Sequence, residues 1–361
     1  MNWKGKNRIQ MNWKAMLWVS FLLRMVTLVG QEQPEADAVI DTIYTSVDLF
    51  EERAPMKITL TLNLKEFQKT KYKGIYIPAS FTYQINDTLR LEKNMRIKAR
   101  GHFRKDYCQF APYWLNINKA DEENRNLQEP KKFKIVTQCN NTKTYENYLL
   151  REYLAYKIYN ILSDISFRVR LIDMTYVDTG RKGKITKSWA FMIEPEEMLA
   201  ERLHALVIKK DDLRMSLMEP ETFDLMAMFM FMIGNSDYSI GGRHNVKILG
   251  MEGFGTKGYT LVPYDFDYSG LVNASYAIPG ENLGITSVKE RYFLGPCREE
   301  GEYAQAIAKI KDHRDEILEL IRTFEYLDEK NKEDVIGYLE EYFNMADTPY
   351  FISRSLESTC R

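Results

Sequence analysis

The 361 residues carry 50 Lys and Arg against 51 Asp and Glu, for a net charge of −1 at pH 7. A chain that is 45% apolar and 13% aromatic can bury a sizeable core, which excludes disordered, collagenous and low-complexity classes. It also lacks the basic excess that a nucleic-acid backbone demands, so no nucleic-acid partner is expected.

Charge is unevenly placed along the chain. The first thirty residues hold Lys4, Lys6, Arg8, Lys14 and Arg24 and no acid. An apolar run, Ala15 to Leu23, is interrupted by Arg24 and resumes from Met25 to Gly30. A membrane-spanning helix needs about 20 uninterrupted apolar residues, so residues 1–30 are predicted to be a cleaved secretory signal. Met-Asn-Trp-Lys occurs at 1–4 and again at 11–14, which makes Met11 an alternative start. Gly30 is a suitable small residue before a cut, while Ala36-Asp-Ala38 fits the small-residue spacing better but lies farther on. No later stretch reaches spanning length. The expectation is an exported protein, in a periplasm, at a cell surface or outside the cell, with no transmembrane span after signal removal. Cys108, Cys139, Cys297 and Cys360 allow three pairings in such a compartment, and Cys108 with Cys139 is the expected one. None has the Cys-x-x-Cys or His spacing of a metal or redox motif.

Residues 31–55 read as a linker. From Met56 to Leu64 the apolar residues Ile58, Leu60, Leu62 and Leu64 alternate, and Met95, Ile97 and Ala99 repeat the pattern. Trp114 to Asn118 and Phe133 to Thr137 are two more predicted strands, separated by the polar loop Asp121 to Glu129. The three- and four-residue spacing of Leu149, Tyr153, Tyr156 and Tyr159 predicts one long amphipathic helix from Tyr145 to Leu162. Arg168 to Val177 and Lys187 to Ile193 then read as strands joined by the turn Thr179 to Gly183. Residues 56–194 are thus a strand-rich part with one long helix.

From residue 195 the pattern changes. Residues 219–234 are apolar on every side from Leu225 onward, which predicts a helix enclosed by protein. A loop of small and ionisable residues follows, Asn235 to Asn245, then strands Val246 to Leu249 and Tyr259 to Pro263. Glu302 to Phe324 and Lys332 to Phe343 are predicted amphipathic helices. The fold class is α+β.

The chemistry concentrates around that loop. Asp237 and Asn245 on one side of a hairpin, and Asp265 and Asp267 on the other, supply carboxylates and an amide oxygen from adjacent segments. Such oxygens suit a hard cation, Mg2+ or Mn2+, bound together with substrate phosphates. Phosphoryl transfer needs that metal, an aligning carboxylate and little covalent chemistry from the protein. A strand-rich part followed by helix, loop, hairpin and metal carboxylate is the element order of a kinase.

Gly234-Asn-Ser-Asp237, His244-Asn245 and Pro263-Tyr-Asp-Phe-Asp267 resemble the signature of the spore coat protein H (CotH-like) kinase family, as do Arg100-Gly101 with Arg104 and the strand Trp189 to Glu194. The similarity spans roughly residues 93–268. It implies a protein-kinase-like two-lobe fold, ATP as donor, and a secreted or cell-surface acceptor, a protein or another hydroxyl compound. Carried over, Asp237 would orient or deprotonate the acceptor hydroxyl, Asn245 and Asp265 would hold the metal, and Asp267 would be a second-metal candidate. Lys134 would steady the donor phosphates and pair with Glu152 of the long helix, as strand lysines do in kinases. Lys132 and Lys119 compete for that role. Arg100 and Arg104 would be phosphate contacts.

Two departures stand out. Asn245 lies eight positions after Asp237, where kinase loops use about five, and Gly241-Gly242 could loop out the excess. No Gly-x-Gly-x-x-Gly is present to cover phosphates. Two rival functions follow, a catalytically inactive kinase-like binding or structural module at the cell surface, with neither nucleotide nor turnover, and a glycosyltransferase using Asp265-Phe-Asp267 as its metal motif. Blander roles exist too: an Asx-turn for Asp237, a solvated helix face for Glu152, and a surface ion network for Arg100 and Arg104 with Asp106.

Overall fold

The computed structural model describes residues 49–361 apart from 52–53, 88, 117–131 and 252–257. The predicted signal, most of the predicted linker, Lys119 and the loop Asp121 to Glu129 lie outside the described residues. The last linker residues pack on the fold: Phe50 is buried with its ring 6.4 Å from that of Phe133.

The strand-rich part is a closed barrel, a feature the sequence pattern did not reveal. Its strands are β1 (Met56–Leu62), β2 (Ile77–Gln84), β3 (Arg90–Ala99), β4 (Tyr113–Asn116), β5 (Lys132–Thr137), β6 (Val169–Asp178) and β7 (Lys184–Ile193), in spatial order β1-β2-β3-β4-β5-β7-β6. Neighbours are antiparallel except β1 and β6, whose parallel pairing closes the ring. Period-two alternation buries Met56, Ile58, Leu60 and Leu62 of β1 with Ile77, Ala79 and Phe81 of β2.

Two short helices interrupt these strands where none was predicted, α1 (Leu64–Thr70) and α2 (Phe103–Tyr107). Each is too short to show a helical period. Leu64, read as a strand end, is the first residue of α1. There Asn63 caps the helix by accepting the Glu66 N–H at 3.0 Å, and Leu64 donates its own N–H to Asp178.

The long helix is α3 (Lys143–Leu162). It is buried beyond the stripe its spacing predicts, because it packs against β7 on one side and the helical part on the other. Even Arg151 and Glu152 are enclosed. Arg151 is matched by Asp334 at 2.7 Å and Asn331 at 2.5 Å.

The second part comprises α4 (Glu196–Arg202), β8 (Ala205–Ile208), α5 (Pro220–Met232), β9 (Val246–Met251), β10 (Thr260–Pro263), α6 (Glu300–Asp312), α7 (Arg314–Thr323) and α8 (Glu329–Ala346). Strands β8 to β10 form a separate antiparallel sheet. Helix α5 starts where Glu219 accepts the N–H groups of Glu221 and Thr222, with Pro220 in its first turn. Its methionines and phenylalanines are buried all round, as its apolar circumference requires. The single helix predicted from Glu302 to Phe324 is two, parted at His313. One apolar core runs through both parts, from Leu150, Tyr156 and Phe191 to Phe229, Phe266 and Tyr342. The architecture is mixed α+β, strand-rich first and helix-rich after.

Cys108 is bonded to Cys139, and Cys297 to Cys360. Among the described residues no helix is long and apolar enough to cross a membrane.

Candidate active site

Helix α5 stops at Met232, and the chain turns away at Gly234, whose φ of +65° and lack of a side chain are both required, since a Cβ there would collide with the Tyr338 hydroxyl. Asn235 follows, almost fully buried, and its side-chain oxygen accepts the Asp237 N–H at 2.8 Å. The Asx-turn is therefore made by Asn235, not Asp237. The Asp237 carboxylate is left free to face Asn245, whose Nδ2 donates to Oδ2 at 3.0 Å and to the Asp237 carbonyl at 2.7 Å. His244 Nε2 lies 3.1 Å from the other carboxylate oxygen, and that hydrogen bond raises the imidazole pKa. The eight-residue spacing is absorbed by a turn that Ser239 and His244 close through two backbone bonds, with Gly241 and Gly242 inside it.

The second segment is stitched to the first. Tyr264 N–H donates to the Asn245 carbonyl, and Gly270 and Leu271 donate to Gly234 and Ile233, each at 3.0 Å. Strand β10 stops at Pro263, so Asp265 and Asp267 lie beyond it rather than on one strand face. Asp265 instead adopts φ +66°, with its N–H held by the Tyr156 hydroxyl at 2.8 Å. Phe266 between them is fully buried, 4.6 Å from the Tyr156 ring and 5.5 Å from Phe229. This plug fixes where both carboxylates emerge. Phe266→Ala should cost about 3–5 kcal/mol in urea denaturation and loosen both aspartates; a loss below about 1 kcal/mol would contradict the plug.

Glu152 of α3 completes the cluster. Carboxylate oxygens of Glu152, Asp265 and Asp267 lie within 4.8 Å of one another. Glu152 does not pair with Lys134, which corrects the strand-lysine expectation. Its partner is Arg104 of α2, with Nη1 donating to Oε2 at 3.0 Å, while Nη2 donates to the Thr137 carbonyl at 2.8 Å. Nor is Arg104 part of a surface network, being buried and also 3.8 Å from Asp267. Burial works against its charge, but Tyr276, Glu152, Asp267 and Asp265 outweigh it and hold the guanidinium protonated.

Asp267 accepts the Tyr276 hydroxyl at 3.1 Å, whereas Glu152 Oε1 is buried with no partner. Burial raises both the Glu152 and Asp267 carboxyls, and the neighbouring carboxylates add to it. One guanidinium among three carboxylates leaves negative charge that a divalent cation neutralises. The orphaned oxygen and the all-oxygen donor set fit Mg2+ or Mn2+. Asp237, Asn245, Asp265 and Asp267 line one cavity of about 310 Å3, together with Arg100, Arg104 and Val136.

Lys134 of β5 is buried nearby without a carboxylate partner among the described residues. Its ammonium lies 4.8 Å from the Tyr264 ring centroid, and Trp114 and Phe167 stand 5.8 Å away. Burial, with the charges of Arg100 and Lys247, brings its pKa down to about 7. Lys132 on the same strand is exposed. A phosphate anion placed beside Lys134 would raise its pKa again, so anion binding near pH 8 should take up to about one proton. Calorimetry of ADP binding in EDTA, in two buffers of different ionisation enthalpy, checks this. Heats independent of the buffer, or uptake that persists in Lys134→Met, would contradict it.

The sequence pattern missed three members of the site: Glu152 as a cluster carboxylate, Tyr276, and Tyr156. No local motif marks them, since each is brought in by tertiary packing. No protein-family model matches the chain, and no curated protein does. Among solved structures, the Helicobacter pylori proinflammatory kinase CtkA aligns over 64% of this chain and 90% of its own, at 14% identity and a TM-score of 0.37.

Proposed function

We propose that the protein is an exported, metal-dependent phosphotransferase of the CotH-like kinase type, moving the γ-phosphate of ATP to a hydroxyl acceptor. The observation that carries this reading is the convergence of Asp237, Asn245, Asp265 and Asp267 on one cavity that Arg100 also lines, with Glu152 within 4.8 Å of the last two carboxylates and Lys134 buried close to Arg100 and Asp265. Asp265, Asp267 and Glu152 would hold Mg2+ or Mn2+, with the Asn245 side-chain oxygen available because its nitrogen is turned to Asp237. The metal supplies charge neutralisation at the phosphates. Asp237 accepts the acceptor proton, and His244 and Asn245 aim its carboxylate. Lys134 and Arg100 bind phosphate oxygens. The basic, apolar first thirty residues and the two disulfides support an exported setting.

The pairing of Glu152 with Arg104 rather than Lys134 favours a second reading, a kinase-like module that binds metal and nucleotide without turnover. The glycosyltransferase alternative calls for an open sheet of alternating strands and helices, and the closed barrel argues against it. Incubation with γ-labelled ATP, Mn2+ and a panel of secreted proteins tests the first reading. Label transfer that disappears in Asp237→Ala and Asp265→Ala supports it. A Mn2+-dependent melting shift with ATP but no transfer supports the second, and no shift at all defeats both.

A further inference from the structure

The outer face of β3 to β5 carries more positive charge than a metal-bound triphosphate needs. Arg96 and Lys98 alternate on β3 and face outward, since Met95 and Ile97 beside them are buried, and Arg100 follows directly after the strand. The strand register places Lys98 opposite Trp114 and Trp114 opposite Lys134, and the neighbouring row runs from Arg96 through Asn116 to Lys132. No carboxylate stands in either row.

Aromatic rings hold these cations apart. The guanidinium of Arg96 and the ammonium of Lys98 lie 5.4 and 4.8 Å from the Tyr76 ring centroid. Arg100 and Lys132 lie 5.4 and 4.8 Å from that of Trp114. None of the four has a carboxylate partner among the described residues, and Arg96 Nε is a buried donor with no acceptor. Ring faces attract cations without neutralising them, so nothing among the described residues cancels the strip's charge. Arg100, next along the chain after β3, lines the same cavity as Asp237.

We propose that this strip binds an acidic peptide segment of the acceptor and leads its hydroxyl to Asp237, an inference that rests on the phosphotransfer reading for its chemistry. A pleated face with cations on alternate positions matches the period of an extended chain bearing carboxylates on alternate residues. The acidic balance left once residues 1–30 are set aside makes a nucleic acid the poorer fit.

Fluorescence anisotropy with a labelled alternating Glu-Ser peptide tests the proposal on the mature protein, with Arg96→Gln/Lys98→Gln as the variant. The expected result is binding that weakens with salt, and at least about tenfold weaker in the variant, as loss of two partly screened charge contacts implies. The variant should keep its melting temperature and its Mn2+ and ATP melting shift, which separates failure of this proposal from failure of the phosphotransfer reading. Equal affinity of the variant, equal or tighter binding of a Lys-Ser peptide, or preference for single-stranded DNA or phosphatidylserine vesicles would overturn it. In an active preparation, a Glu-Ser acceptor should show a raised KM in the variant with kcat unchanged.

Discussion

Replacing Arg104 by alanine should destabilise the metal-free protein by about 3–5 kcal/mol, the range for removing one partner of a buried ion pair. The reason is local. Glu152 and Asp267 are both enclosed, and Arg104 is the cation within reach of both, at 3.0 and 3.8 Å. Without it, the two carboxylates with Asp265 form a buried cluster of like charge, relieved only by protonation or a metal. Urea denaturation with and without Mn2+ measures the effect, and saturating metal should return part of the lost stability. A cost below about 1 kcal/mol would show that Arg104 is not the counter-charge, because surface pairs contribute that little. Arg104→Lys should be intermediate, since an ammonium cannot reach Glu152 and the Thr137 carbonyl with the same fork.

Metal affinity should fall about 100-fold or more in Glu152→Gln, the upper end of what even an indirect supporting group contributes. Lys134→Met should leave that affinity within a fewfold of the unaltered protein and weaken ADP instead. The contrast separates two assignments of Glu152. As a lysine partner it would affect nucleotide, and as a cluster carboxylate it affects metal. Its unpartnered Oε1 and its place within 4.8 Å of Asp265 and Asp267 support the second. Titration of Mn2+ by electron paramagnetic resonance reads the result. Unchanged metal affinity in Glu152→Gln would return the residue to the first role.

The parts of the site legible in the sequence are those joined by short-range chemistry. Asp237, Asn245 and Tyr264 are linked by hydrogen bonds across one loop and one hairpin, so their order along the chain nearly determines their proximity. Glu152 and Arg104 are 48 positions apart and meet only because α3 packs beneath the barrel. Spacing gave the helix but not its full burial, so Glu152 read as a solvated residue that any nearby cation could match. The choice of Lys134 followed from kinase habit, and the five-residue helix that delivers Arg104 has no periodic signal. Barrel closure was hidden for a related reason: alternation marks each strand but not that β1 and β6 run parallel side by side.

The Cys108–Cys139 bond and the Arg104–Thr137 hydrogen bond join the same two stretches of chain, one by a covalent link and one by charge. Phe110 adds a backbone bond to the Cys139 carbonyl. These fastenings share a load, so their energies are coupled and do not sum. A thiol reductant applied to Arg104→Ala should therefore do more damage than the two perturbations measured separately and added. On this coupling, reduction of the Cys108–Cys139 bond should also weaken the hold of the carboxylate cluster on its counter-ion.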